Sequence, residues 1–256
     1  MTYSTRKSDS HGERIVHQFL EEHFYKVLQN DALRSIFGDS EIERIESVTD
    51  VVRQCLGVDT VIHLRDTNED KLLDEKASIY YINKNLSTFA FELMTKRKDG
   101  IFTDGWFVND HFQNSHYLVM WLKARGKKDR DGNWINGSRY IRSLTVDDIR
   151  SVEAFLLDKD QMHSYLKRLG ITPQMLKKKA IEMHNGNIHK FFLTDDIRIQ
   201  NSGYKACYDS KTMFEEPVNL LLNKSLLAQL ADHRFEIKPD ELYLNDKLVY
   251  LRKSTS

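Results

Sequence analysis

The chain predicts an α/β protein, a strand-rich core preceded by an amphipathic helix and followed by a region in which helices and strands mix. Three observations carry this. Ile15, Val16, Phe19, Leu20, His23 and Phe24 recur at helical spacing. Three β-type runs follow at residues 58–64, 71–81 and 88–94. After residue 122, capping residues and turn dipeptides alternate with shorter apolar runs.

The first helix is expected to open at Ser10-His11-Gly12-Glu13, an S-x-x-E capping box, and to run to about Leu28. Residues 31–47 are mixed. Asp66-Thr67-Asn68-Glu69-Asp70 reads as the turn between the first two strands, and Tyr117–Leu122 as a buried strand. Asp131-Gly132 and Asn136-Gly137 mark residues 123–143 as a protruding loop or ribbon. Thr145-Val146-Asp147-Asp148 opens a capped helix over 146–169 that Gly170 ends, with a strand at Ala154–Leu157 as the alternative. Thr172-Pro173 starts another helix with proline at its first position. Strands are expected at 188–200 and 217–222, and a helix at 224–232. With no convincing linker, residues 1–144 are taken as the core and 145–256 as a C-terminal α+β extension packed on it.

Composition narrows the class. Hydrophobic residues at 40% are enough for a core, and three prolines argue against long disordered linkers. Lys plus Arg balances Asp plus Glu at 38 each, so net charge lends nucleic-acid binding no support and local patches must supply it. Cys55 and Cys207 form no metal-like spacing or disulfide framework. No apolar run approaches the roughly 18 residues of a membrane span, and Met1–Ser10 is too polar for a signal peptide. A soluble cytoplasmic protein without membrane partners is expected.

The chemistry concentrates in residues 57–76. Asp59 stands near the start of one β-type run; Asp74 and Lys76 stand two apart in the next. Residues two apart share a strand face, about 7 Å apart. If the runs are neighbours, Asp59 lies about 5 Å across from that pair. Two carboxylates and an ammonium gathered on one face suit a hard divalent cation such as Mg²⁺. The alternative is a surface hairpin with a solvated Asp/Lys pair, against which stands the apolar setting of Asp74, between Leu72-Leu73 and Ala77–Tyr81.

This stretch resembles the active site of the PD-(D/E)XK nucleases, the restriction-endonuclease-like fold. Asp59 matches the first aspartate and Asp74-Glu75-Lys76 the D/E-X-K element. Gln54-Cys55-Leu56-Gly57-Val58 is similar to the Gln-x-x-Gly-(Ile/Val) entry of several branches, although no proline precedes Asp59. The resemblance covers about residues 10–125. It implies a central mixed sheet flanked by helices, with a fourth core strand at about Tyr117–Leu122. It also implies a Mg²⁺-dependent endonuclease (Mn²⁺ able to substitute) that hydrolyses phosphodiester bonds, in DNA ahead of RNA, in a restriction or phage-defence setting, with a homodimer left open. Asp59, Asp74 and the Glu75 carbonyl would hold metal and Lys76 would assist the attacking water. Glu92 would complete the shell if its strand lies beside that of Asp74; otherwise Lys96 or Arg97 neutralises it. Glu13 fits an acid on the first helix near the metal, although its capping role also accounts for it.

Two basic clusters could meet phosphates: Thr95-Lys96-Arg97-Lys98, and Lys123, Arg125, Lys127, Lys128 and Arg130. Both could equally be solvated faces. Trp134 and Tyr140 could stack on bases or anchor the ribbon. His111, Asn114 and His116 fall too close together for an HNH site, and His184 and His189 lack a carboxylate set. Gly100 to Gly105 lacks the lysine of a phosphate loop, and there is no G-x-S-x-G. The rival to a nuclease is a nucleic-acid-binding or assembly module that keeps the fold without cutting; a third reading is an unrelated interaction protein.

Overall fold

The computed structural model describes residues 5–30, 33–37, 40–65, 70–97, 99–202 and 215–252. Most of the expected 66–70 turn, Lys98 and Cys207 lie outside the described residues. In chain order the elements begin with α1 (Thr5–Leu20), a π-helical turn Glu21–Tyr25 and α2 (Lys26–Leu28). Ile15, Val16, Phe19, Leu20, Phe24, Tyr25 and Leu28 are buried along this helical run. The helix runs back through Thr5, so Ser10 lies inside it and the expected capping box is corrected: Ser10 and Glu13 are interior helix positions. Gly12 permits a close crossing, since a Cβ there would stand 2.8 Å from Ile141.

β1 (Ile42–Ser47) follows, then the short α3 (Val51–Cys55), capped by Asp50, whose carboxylate accepts the Val52 N–H at 3.0 Å. Gly57, at φ +74°, turns the chain into β2 (Thr60–Leu64), and β3 (Lys71–Ala77) comes next. Then come β4 (Thr88–Arg97), β5 (Phe102–Asp104), β6 (His116–Ala124), α4 (Gly137–Ser143) and β7 (Ile149–Asp158). After these lie α5 (Lys159–Arg168), α6 (Pro173–Asn185), β8 (Lys190–Phe192), β9 (Ile197–Asn201) and β10 (Glu215–Asn223). The described chain closes with α7 (Lys224–Leu230), β11 (His233–Ile237), β12 (Glu241–Leu244) and β13 (Lys247–Leu251).

These elements form two compact units: Met1–Leu86 with Asn114–Asp158 and Ala231–Ser256, and Ser87–Gln113 with Lys159–Leu230. The first holds an eight-stranded mixed sheet in the order β1-β2-β3-β6-β7-β11-β12-β13. Its neighbours pair antiparallel except β3 and β6, which run parallel. Central β6 and β7 are apolar runs buried on both faces, and α1 packs its apolar side against Leu73, Leu118, Met120, Ala154 and Leu156. The second unit holds a five-stranded antiparallel sheet, β5-β4-β10-β9-β8, with α5, α6 and α7.

The architecture is α/β with a large mixed sheet, as expected, but three expectations change. The units do not divide at residue 144: β7 and β11–β13 belong to the first sheet, β4 and β5 to the second. Hydrogen bonding to β6 and to β10 decides this, not adjacency in sequence. Residues 149–158 are a strand, because Ile149, Val152, Ala154, Phe155, Leu156 and Leu157 are buried between β6 and β11; only residues 159–168 are helical. Thr145 caps a single 3₁₀ turn through Asp148, with both reciprocal bonds formed. Asn136-Gly137 begins α4, whereas Asp131-Gly132 does turn the chain, with Lys128 and Trp134 bridging across it.

Candidate metal centre and a second ionisable cluster

The β2–β3 pairing sets the candidate centre. Thr60 pairs with Leu73, and the Asp59 N–H donates to the Leu73 carbonyl at 2.8 Å, so Asp59 extends β2 alongside β3. Alternation then puts Asp59, Asp74 and Lys76 on one face and Leu73, Glu75 and Ala77 on the other. Asp59 is pinned further, its Oδ2 accepting the Glu75 N–H at 2.8 Å. The three residues of the motif are thus brought together.

Asp74 is 1% exposed. Its Oδ1 pairs with the Lys76 ammonium, while its Oδ2 is buried and meets no hydrogen-bond donor among the described residues. Burial pushes the Asp74 carboxyl up to about 7; the Lys76 charge pulls it back and the Asp59 charge adds to the rise. Burial likewise raises Asp59, opposed by Lys76. Burial also works against the charge on Lys76, but Asp74 and Asp59 outweigh it and hold the ammonium above the ordinary lysine range. A donor-less buried carboxylate oxygen, a second carboxylate facing it and hard oxygen chemistry throughout are what a divalent cation fits.

The Glu75 side chain turns to the opposite face, where it is anchored rather than aimed at the centre. Its Oε1 accepts from the Tyr25 hydroxyl at 2.7 Å and from Thr60 Oγ1 at 2.8 Å, and its Oε2 from His17 Nδ1 at 2.9 Å. The bond to Glu75 raises His17 above the ordinary imidazole value, against the effect of burial. A cleft of about 500 Å³ brings residues of both faces together at this end of β3, with Asp59 and Lys76 as well as Glu75, Glu13, Arg14 and His17 among its walls. His17, Tyr25 and Thr60 escaped the sequence reading, because Tyr25 and His17 look like ordinary members of the helical pattern.

Glu92 is not brought to this strand. The neighbours of β3 are β2 and β6, whereas β4 pairs with β5 and β10 in the other sheet, Glu92 opposite Asn219. The condition under which Glu92 would complete the shell is therefore unmet. The place beside β3 goes to β6, whose unbroken apolar run suits a strand covered on both sides.

Of the basic residues, Lys123, Arg125 and Lys128 are exposed. Lys127 is not an outward phosphate contact: its ammonium turns in to Asp148 and to the Ser143 carbonyl. Lys128 lies over the Trp134 ring at 4.9 Å, and the Tyr140 hydroxyl donates to the Arg125 carbonyl at 2.6 Å, so Tyr140 anchors the ribbon while Trp134 remains 63% exposed. In the second unit, Arg97 pairs with Asp99 at 3.1 Å and Lys96 lies over Phe102 at 5.7 Å.

A second cluster, with no counterpart in the sequence reading, lies in the first sheet. His116 at the start of β6, Asp158 at the end of β7 and Asp232 just before β11 bring their ligand atoms within 4.8 Å of one another. The Lys71 ammonium stands 3.0 Å from His116 Nε2. Burial, then the Lys71 charge, push His116 down to about 4, so the ring is neutral at ordinary pH. No local signal could reveal this cluster, since its residues are scattered from 71 to 232. Among the described residues, no helix is long and apolar enough to cross a membrane. Comparison of the chain with protein-family models, with curated proteins and with solved structures gives no match.

Proposed function

We propose that the chain is a Mg²⁺-dependent nuclease of PD-(D/E)XK type that hydrolyses phosphodiester bonds, with DNA as the first substrate to test. The observation that carries the reading is the pairing of Asp59 with Asp74, whose buried Oδ2 lacks a donor among the described residues, beside a lysine kept charged by both. The parallel placement of β6 beside β3 supports it too, because the resemblance called for a further core strand near residues 117–122.

Asp59, Asp74 and the Glu75 carbonyl would hold the cation, with Glu13 at the wall of the same cleft. When bound, the cation would supply water activation and charge neutralisation at the phosphate. Lys76, kept protonated by its two acidic neighbours, places a fixed positive charge where negative charge develops on the phosphate oxygens. Arg14, on the cleft wall, offers positive charge to orient the phosphodiester before attack. The Glu75 anchor holds β3, and with it the Asp74–Lys76 pair, against α1.

The test is incubation of purified full-length protein with plasmid, single-stranded DNA and RNA in Mg²⁺, Mn²⁺ or chelator. Metal-dependent cleavage lost in Asp74→Asn supports the reading. Binding of nucleic acid with no cleavage under any metal would favour the non-cutting module, for which the closed Lys76–Asp74 ion pair is the observation in favour.

A further inference from the structure

The sheet that carries Asp74 on one face presents His116 on the other, because His116 pairs with Leu73, and Asp158 pairs with His116 in turn. We propose that His116, Asp158 and Asp232, with His233 as a fourth ligand, form a second metal site, of the class that takes Zn²⁺ or a similar imidazole-seeking divalent ion.

Four features of the cluster support this. The donor set of two imidazoles and two carboxylates is one that Zn²⁺ accepts in tetrahedral geometry, at about 2.0–2.2 Å from each ligand. The ligand atoms of His116, Asp158 and Asp232 already lie within 4.8 Å of one another, so side-chain rotation closes them on an ion without moving a strand. The His116 ring is set for ligation: the Lys71 ammonium can only donate to Nε2, at 3.0 Å, which leaves the proton of the neutral imidazole on Nδ1, 2.8 Å from Ser115 Oγ. The lone pair therefore sits on Nε2, the nitrogen facing the carboxylates, and the outer hydrogen bond is of the kind that orients metal-bound histidines. Finally, His233 Nδ1 is buried with no hydrogen-bond partner among the described residues, a costly state that a ligand would relieve.

Lys71 is the counter-argument and also the handle for the test. Its ammonium, 3.0 Å from His116 Nε2, occupies the position a cation would take. If the cluster is only an ion-pair network, Lys71 completes it. If it is a metal site, Lys71 is the competitor that swings out, leaving the Phe37 ring, whose centre lies 5.6 Å from its ammonium. No charge is stranded by that movement, because Lys71 is partly exposed.

The experiment uses metal-free, full-length protein carrying Asp74→Asn, so that the candidate hydrolytic centre contributes no uptake. Zn²⁺ alone is titrated by calorimetry, and Co²⁺ by visible absorption, which reports tetrahedral coordination. One equivalent is expected, with intense d–d bands for Co²⁺. Asp232→Asn, which keeps the size of the side chain, should weaken Zn²⁺ by on the order of 100-fold. Lys71→Met should tighten it by removing the competing cation. Zn²⁺ should raise the melting temperature of the Asp74→Asn protein but not of the Asp74→Asn/Asp232→Asn protein. Absence of uptake, or one equivalent unaffected by both Asp232→Asn and Lys71→Met, would overturn the proposal. The result does not depend on whether the protein cleaves nucleic acid.

Discussion

Asp74 and His116 lie on opposite faces of one sheet, each buried beside a lysine of β3, yet burial acts on them in opposite directions. It favours the neutral form of each, raising the carboxyl to about 7 and lowering the imidazole to about 4. At ordinary pH the first face is thus poised to lose a proton, while the second already offers a neutral nitrogen. Burial alone does not say whether a site is charged; the ordinary pKa of the group and its neighbours decide.

The largest effect should separate the two faces by chemistry. Asp74→Asn and Lys76→Ala should each lower metal-dependent hydrolysis by on the order of 10²–10³ or more, whereas Asp232→Asn should leave it within about twofold. Turnover of a plasmid substrate measures this, and equal losses in all three would dissolve the distinction.

Next in size are opposed pH dependences of stability. The folded-state pKa of Asp74 lies above its unfolded value, so folding takes up a proton between about pH 4 and 7. Its contribution is fully present below pH 4 and is lost as pH rises through 7. His116 is depressed, so its contribution is present above the unfolded value near 6.5 and is lost as pH falls toward 4. Each slope is bounded at about 1.4 kcal/mol per pH unit. In chelator, Asp74→Asn should make stability climb more steeply from pH 4.5 to 6.5, and His116→Gln should make it climb less steeply. Urea unfolding at several pH values gives the slopes, and parallel slopes in the two variants would contradict the assigned shifts.

Tyr25→Phe removes one of three donors from the Glu75 carboxylate, which is 7% exposed. A cost of about 1–3 kcal/mol is expected in chemical unfolding. No loss would mean that water replaces the hydroxyl and the anchor rests on Thr60 and His17.

The surface clusters should matter less. Replacing Lys123, Arg125 and Lys128 together should reduce the salt slope of DNA affinity by about 0.9 per lost phosphate contact. Adding Lys127→Met should leave that slope where it is, because its ammonium is spent on Asp148 and Ser143. The smallest effect belongs to Glu92→Gln, which should leave the Mg²⁺-induced shift in melting temperature unchanged, since β4 does not adjoin β3. A weakened shift would return Glu92 to the metal shell.

What was legible in the sequence is what short-range geometry controls. Asp59, Asp74 and Lys76 lie within 18 residues of chain, and alternation along paired strands puts them on one face whatever the rest of the fold does. The amphipathic helix, the Thr172 cap and the strands at β2, β3, β6 and β10 follow from local pattern in the same way. Strand order does not, because the hydrogen-bonding edge of a strand carries no sequence label. Whether β4 or β6 lies beside β3 is settled by which long apolar run can be covered on both faces, and that choice moved Glu92 to another sheet. The same long-range pairing built the His116, Asp158 and Asp232 cluster from three strand ends, and turned Tyr25 and His17 of the helix onto Glu75. Local periodicity determined which residues could share a face; only the tertiary structure, through burial and strand pairing, decided which faces meet and which groups lose their water.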